Sequence, residues 1–305
     1  MTEIERLINE GFISSDFLCQ EERNEYIIPT QMKKTWAIQM DLLRELVKVC
    51  ERYNLKVWVI GGTLLGTVRH RGFIPWDDDI DVIMPREDYD KLLSIGNTVF
   101  TDPYFLQSPF DTEMEVYFPT ARLCNSNTFL DHNVCALNEI RWNSGIFIDI
   151  FVLDGVPRSK STLRRRFSLI KWYTMLLHAY VLNINKHWLA RLAHNVLRWP
   201  IWRCKSNMFC KKIHNIARKT QNKDSLIATP YSLEHNIFDS KDFRATEWLS
   251  FENIRVPVPI GYDAVLKVSF GDYMQLPPKE TRGVWHHFDI DPDIPYLEVI
   301  RNASR

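Results

Sequence analysis

Nowhere do the 305 residues run for the ~20 uninterrupted apolar positions that a membrane-spanning helix requires. The opening MTEIERLINEGF is acidic and has no basic cluster followed by an apolar stretch, so a secretory signal is not expected. Six cysteines (Cys19, Cys50, Cys124, Cys135, Cys204, Cys210) contain no CxxC pair and no regular framework, which suits free thiols in a reducing cytoplasm. Cys204, Cys210 and His214 lack the fourth ligand and the spacing of a zinc site. Internal repeats and low-complexity tracts are missing too. What is left is an ordinary globular composition, 45% hydrophobic and 25% charged, with apolar material enough for one large or two modest domains.

Charge of one sign is missing from a long internal stretch. Residues 158–223 hold sixteen Lys or Arg and not one Asp or Glu, although the whole chain balances 38 cations against 38 acids. Such asymmetry marks a polyanionic partner or an anionic membrane surface. The segment is helical in composition and interrupted by Pro200, and its apolar part, WYTMLLHAYVLNI, is too short and too polar to cross a bilayer. Three readings stay open: an interfacial helix at the inner face of a membrane, a site for an anionic acceptor polymer, or a basic helical layer over an acidic core. No base-reading module accompanies the charge, so nucleic acid is not expected.

Periodicity organises the flanks. Residues 31–53 place Ile38, Leu42, Leu43, Leu46, Val47 and Cys50 on one helical stripe, with Asn54 as a stop. LKVWVIGG reads as a buried strand entering a tight turn, and TLLGTVRHRG as a short helix with Thr63 near its start. DDIDVIMP has the period of a strand, which sets Asp79 and Asp81 on one face, before Pro85 and a helix beginning REDYDKLL. EVYFPTARL and SGIFIDIFVLDG read as strands, the second with Asp149 alone among apolar residues. Later, NIRVPVPI reads as an edge strand on account of its prolines, and YDAVLKVSFGDYM as a helix with Gly271 near its end.

The stretch WDDDID, residues 76–81, concentrates four carboxylates in five positions. Two acids ~7 Å apart on one strand face raise each other's pKa unless a cation sits between them, and a hard divalent ion with oxygen ligands is the natural compensator. Acidic runs are more often solvated loops, but this one merges into a β-branched strand and follows a glycine turn. Gly61 and Gly62 permit close backbone approach, and amides at a helix start can receive phosphate oxygens.

GGTLLGTVRHRGFIPWDDDIDVIMPREDYDKLL resembles the signature of the LicD family, the bacterial phosphocholine transferases whose relatives include fukutin and fukutin-related protein. GIFIDIFVLDGVP agrees, as does YDAVLKVSFGDYMQLPP with Arg282 and His286 after it, so the resemblance spans residues 31–290 in three blocks. It implies an α+β, nucleotidyltransferase-like mixed β-sheet core flanked by helices, interrupted by the basic insertion. The expected division is an N-terminal extension (1–30), a catalytic core (31–157), the insertion (158–223) and a C-terminal part of the catalytic domain (224–305).

The implied reaction is Mg²⁺- or Mn²⁺-dependent transfer of a substituted phosphate, phosphocholine from CDP-choline with release of CMP, to a sugar hydroxyl of a cell-surface or lipid-linked glycan. The alternatives are another CDP-linked group, ribitol or glycerol phosphate, or true nucleotidyl transfer from an NTP. Asp79 and Asp81 are the expected metal ligands, with Asp77 or Asp78 as an outer ligand. Asp149 is the expected third acid and base, and Asp154 the other candidate for the base. Gly61, Gly62 and Thr63 are expected to hold donor phosphates. Arg69 is assigned either to the diphosphate or to a nearby acid, and Arg282 and His286 also to substrate. A quaternary ammonium is held by π faces, for which Trp76, Trp142 and Trp285 are candidates. The protein is expected in the cytoplasm, at the inner membrane face if residues 158–223 touch lipid.

Overall fold

The computed structural model describes residues 1–131, 140–157, 159–181, 205–219, 224–229, 236–283 and 289–303. The chain opens with α1 (Glu3–Asn9), where Thr2 and Glu5 cap each other reciprocally, and a hairpin of β1 (Glu21–Arg23) and β2 (Tyr26–Ile28). Next come α2 (Thr30–Arg52), β3 (Trp58–Val59), α3 (Gly61–His70), β4 (Asp81–Pro85), α4 (Arg86–Val99), β5 (Tyr104–Gln107), β6 (Ala121–Asn125), β7 (Phe129–Asp131) and β8 (Ile146–Gly155). The basic stretch supplies α5 (Lys160–Val181) and α6 (Ser206–Arg218). They are followed by β9 (Ser225–Thr229), β10 (Phe238–Asp239), β11 (Thr246–Phe251), β12 (Ile254–Pro259), α7 (Tyr262–Phe270), β13 (Asp289–Asp291) and α8 (Tyr296–Ala303).

The fold is α+β, with a mixed sheet at its centre. β8 is the axis. β4 runs parallel to it on one side, with Asp81 in register with Asp149, and β3 continues outward antiparallel to β4. On the other side, β6 pairs with the first half of β8 and β9 with the second half, both antiparallel. The run IFIDIFVLDG suits this position because a central strand covered on both faces reads as continuous β-branched and aromatic residues. Helix α2 buries Ile38, Leu42, Leu43, Leu46 and Cys50 of the expected stripe in the main core, with Val47 partly buried against it, and adds Trp36.

Three expected elements differ in extent. The strand expected from DDIDVIMP begins only at Asp81, so Asp79 lies in the lead-in to the strand. Of EVYFPTARL only the last residues form β6, because Pro119 has no backbone N–H for a ladder. The expected edge strand from NIRVPVPI is β12, paired with β11 in a two-stranded ribbon whose tip reaches back to the loop after α3.

Candidate active site

The acidic loop is pinned from three directions. From α2, the Trp36 indole N–H donates to the Asp77 carbonyl at 2.9 Å, and the Gln39 amide donates to the Asp78 carbonyl at 2.9 Å. From α3, the Thr63 hydroxyl accepts the Asp81 amide at 2.8 Å, while the Ile60 amide donates to the Asp81 carbonyl at 3.0 Å. From β8, the Asp149 amide donates to the Ile80 carbonyl at 3.0 Å. With its backbone fixed this way, the loop has no freedom to spread its carboxylates apart.

Glycine makes the approach possible. A Cβ on Gly62 would overlap the Asp77 carboxylate, and one on Gly61, whose φ is +60°, would meet Asp81 Oδ2 at 3.1 Å. The first turn of α3 therefore faces the acids directly, and the amides of that turn have no partners within the helix. Asp77, Asp78 and Asp79 each place a carboxylate oxygen within 4.8 Å of the others, a grouping that can hold a metal ion.

Electrostatics separates the acids from one another. Burial pushes the Asp77 carboxyl well above the usual range, and the charges of Asp79 and Asp78 and a side-chain hydrogen bond with Asp79 push it further. Burial also raises Asp81, reinforced by Asp79, Asp149 and Asp77, with Arg122 opposing. Arg122 supplies a countercharge to this group. The Arg122 guanidinium, on β6 beside β8, donates to Asp149 Oδ1 at 2.9 Å, and the Thr120 hydroxyl donates to the same oxygen at 3.0 Å. Arg122 lies between the rings of Phe118 and Phe147, 3.6 and 3.9 Å from their centroids. Burial disfavours its charge, yet Asp149 more than offsets this and its pKa is raised.

The other expected site residues lie as follows. Thr63 is buried, with its hydroxyl spent on the Asp81 amide and not on open space. Arg69 donates to the carbonyls of Tyr273 and Gln275 at 2.9 and 3.2 Å and, among the described residues, pairs with no acid; burial and the Arg282 charge lower its pKa. Trp76 is 4% exposed, packed against Tyr26 and His70, and the Arg282 guanidinium already stands 5.2 Å from its ring centroid. Arg282 also donates to the carbonyls of Pro277 and Asn24. Trp142 is buried against Tyr117, away from solvent. His286, Trp285, Cys135 and Cys204 lie outside the described residues.

Asp154 is neither a turn residue nor part of the acid cluster. It is five residues beyond Asp149 on β8 and so faces the opposite side of the sheet, where it makes a paired contact with Arg86 at 2.8 and 2.5 Å. His214 completes that group. Its Nε2 donates to the Pro119 carbonyl at 2.8 Å, which leaves Nδ1 to accept from Arg86. Arg122, Thr120, Trp36 and Gln39 were not singled out by sequence reasoning. One signal pointed to Arg122: it is the only cation in the expected strand EVYFPTARL, as Asp149 is an acid flanked by apolar residues in its own, and opposite charges inside neighbouring strands invite pairing.

A family model described as LicD/FKTN/FKRP, nucleotidyltransferase domain, matches residues 54–151, from the turn after α2 into the middle of β8, just past Asp149. The lipopolysaccharide cholinephosphotransferase LicD of Haemophilus influenzae is 26% identical over 263 residues, 84% of this chain and 96% of that protein. An uncharacterized protein of Rickettsia prowazekii is 30% identical over 158 residues, 50% of this chain and 54% of that protein. The ribitol 5-phosphate transferase FKRP of Homo sapiens is 44% identical over 45 residues, 15% of this chain and only 9% of that protein.

Proposed function

We propose that the chain is a LicD-type phosphotransferase that moves phosphocholine from CDP-choline to a sugar hydroxyl of a cell-surface or lipid-linked glycan. The observation that carries this is the close approach of Asp77 and Asp81 to Gly62 and Gly61 in the first turn of α3, with the charges of Asp79 and Asp149 beside them. Likeness to a cholinephosphotransferase along nearly the whole of that protein supports choline over ribitol, for which the likeness is confined to 45 residues.

The residues present fit a hard divalent ion. All donors are carboxylate oxygens, burial and mutual repulsion raise Asp77 and Asp81, and Gly62 leaves room where a Cβ would collide with Asp77. Mg²⁺ or Mn²⁺ held by Asp77, Asp79, Asp81 and Asp149 would neutralise diphosphate charge in the reaction. The chain's own groups do the rest. Amides of Gly61, Gly62 and Thr63 at the start of α3 bind donor phosphate oxygens. The acceptor hydroxyl oxygen bonds to the phosphorus bearing choline, the bond from that phosphorus to the CMP oxygen breaks, and the hydroxyl proton goes to Asp149. Arg122 and Thr120 both engage Asp149 Oδ1, which leaves Oδ2 for that proton.

The test is CMP release by the purified protein with Mg²⁺ or Mn²⁺ and a glycan extract, comparing CDP-choline, CDP-ribitol, CDP-glycerol and CTP. Metal-dependent CMP from CDP-choline is the expected result. CMP from CDP-ribitol or CDP-glycerol alone would reassign the transferred group, and pyrophosphate from CTP alone would replace the reaction by nucleotidyl transfer.

A further inference from the structure

Helix α5 buries Leu163, Arg166, Ile170 and Leu177, a stripe of three- and four-residue spacings that faces the protein. Its opposite side is not polar. Leu169, Trp172 and Met175 are 38%, 53% and 50% exposed at successive three-residue steps, so they share one outward face. Arg164, Arg165 and Lys171 are exposed around the same stripe. Helix α6 packs beside α5, burying Phe209, Cys210, Ile213 and Ala217; Lys211 and Lys212 are exposed on it, while Arg218 pairs with Asp90 of α4 at 2.6 Å. No Asp or Glu occurs anywhere in residues 158–223. No helix among the described residues is long and apolar enough to cross a membrane.

From this we propose that the outward face of α5, with Arg164, Arg165 and Lys171 around it, seats the protein on the surface of an anionic lipid bilayer. Two independent features choose this occupant. A soluble polyanion would use the cations but gain nothing from three large apolar side chains held out in water at 38–53% exposure. A neutral bilayer or an apolar protein partner would use Leu169, Trp172 and Met175 but would not need acids excluded from sixty-six consecutive residues. Only an interface that is apolar below and negative above uses both, with an aromatic indole at the boundary. The inference is independent of which group the enzyme transfers.

Sedimentation of the full chain with vesicles tests it, using phosphatidylcholine alone against phosphatidylcholine mixed with phosphatidylglycerol. The expected result is binding to the anionic vesicles only, weakened by added salt. The triple variant Leu169→Ser, Trp172→Ser, Met175→Ser should lower the partition coefficient about tenfold or more, and Arg164→Gln, Arg165→Gln, Lys171→Gln should do the same. All six side chains are exposed, so circular dichroism and the melting temperature should stay at the wild-type values. The proposal is overturned if the wild-type protein ignores both vesicle types. It is also overturned if the charge variant loses binding while the apolar variant binds like wild type, since that pattern describes a site for a soluble polyanion.

Discussion

Asp81 and Asp149 stand side by side because parallel pairing of β4 and β8 puts them in register, and their charges are tolerated because Arg122 reaches Asp149 from the other flank. Gly62 is the position where one atom decides the geometry. Gly62→Ala should cut turnover at least tenfold, because the added methyl displaces the Asp77 carboxylate, while the melting temperature changes little. Gly61→Ala adds a left-handed penalty of roughly 1–2 kcal/mol, read as a lower denaturation midpoint. Asp79→Asn and Asp81→Asn should each reduce CMP release more than a hundredfold. Neither should destabilise the metal-free protein, since burial and the neighbouring acids already oppose a charge in this cluster and Asn keeps the shape of the side chain. A variant that kept more than a few per cent of activity would remove that residue from the site.

Among the elements, the β11–β12 tip holds the acidic loop in place without touching its acids. Glu252, 8% exposed at its side chain, accepts from Arg23 at 2.5 and 2.9 Å and from the Phe73 amide at 3.1 Å, and its own amide donates to the Arg71 carbonyl. Glu252→Ala leaves Arg23 and the Phe73 amide without this acceptor, so urea unfolding should show a loss of about 2 kcal/mol. Because the clasp holds residues 71–73, just ahead of the acids, kcat should fall in the same variant. Helix α2 acts on the far side of the loop through Trp36 and Gln39. Its amphipathic stripe was legible in the sequence, but those two contacts were not, because a stripe records which residues are buried and not which carbonyls they meet.

On the scale of the whole molecule, buried histidine couples folding to pH. Burial, aided by the Arg86 charge, pushes His214 down to about 4 from an ordinary value near 6.5. The folded protein therefore leaves this ring neutral between pH 6.5 and 4, while the unfolded chain protonates it. Its contribution is complete above pH 6.5 and is lost as pH falls, by up to about 1.4 kcal/mol per pH unit. His214→Gln should flatten the decline of melting temperature between pH 6.5 and 4 relative to wild type, and an unchanged slope would mean that the ring does not control it. His70, also lowered to about 4 by burial and by Arg69, adds a parallel slope that this variant leaves in place.

What the sequence determined by itself is what covalent neighbours and periodicity encode. The glycine turn, the run of acids, the apolar stripe of α2, the acid-free basic stretch and the family signature were all visible along the chain. Tertiary structure decided which isolated charges meet. Arg122 finds Asp149 across 27 positions and Arg86 finds Asp154 across 68, and strand alternation sends those two acids to opposite faces of β8. It also decided that Trp76 already carries the Arg282 guanidinium and that Arg69 is bound to backbone carbonyls. Desolvation and pairing depend on which segments pack together, and no local pattern of residues states that.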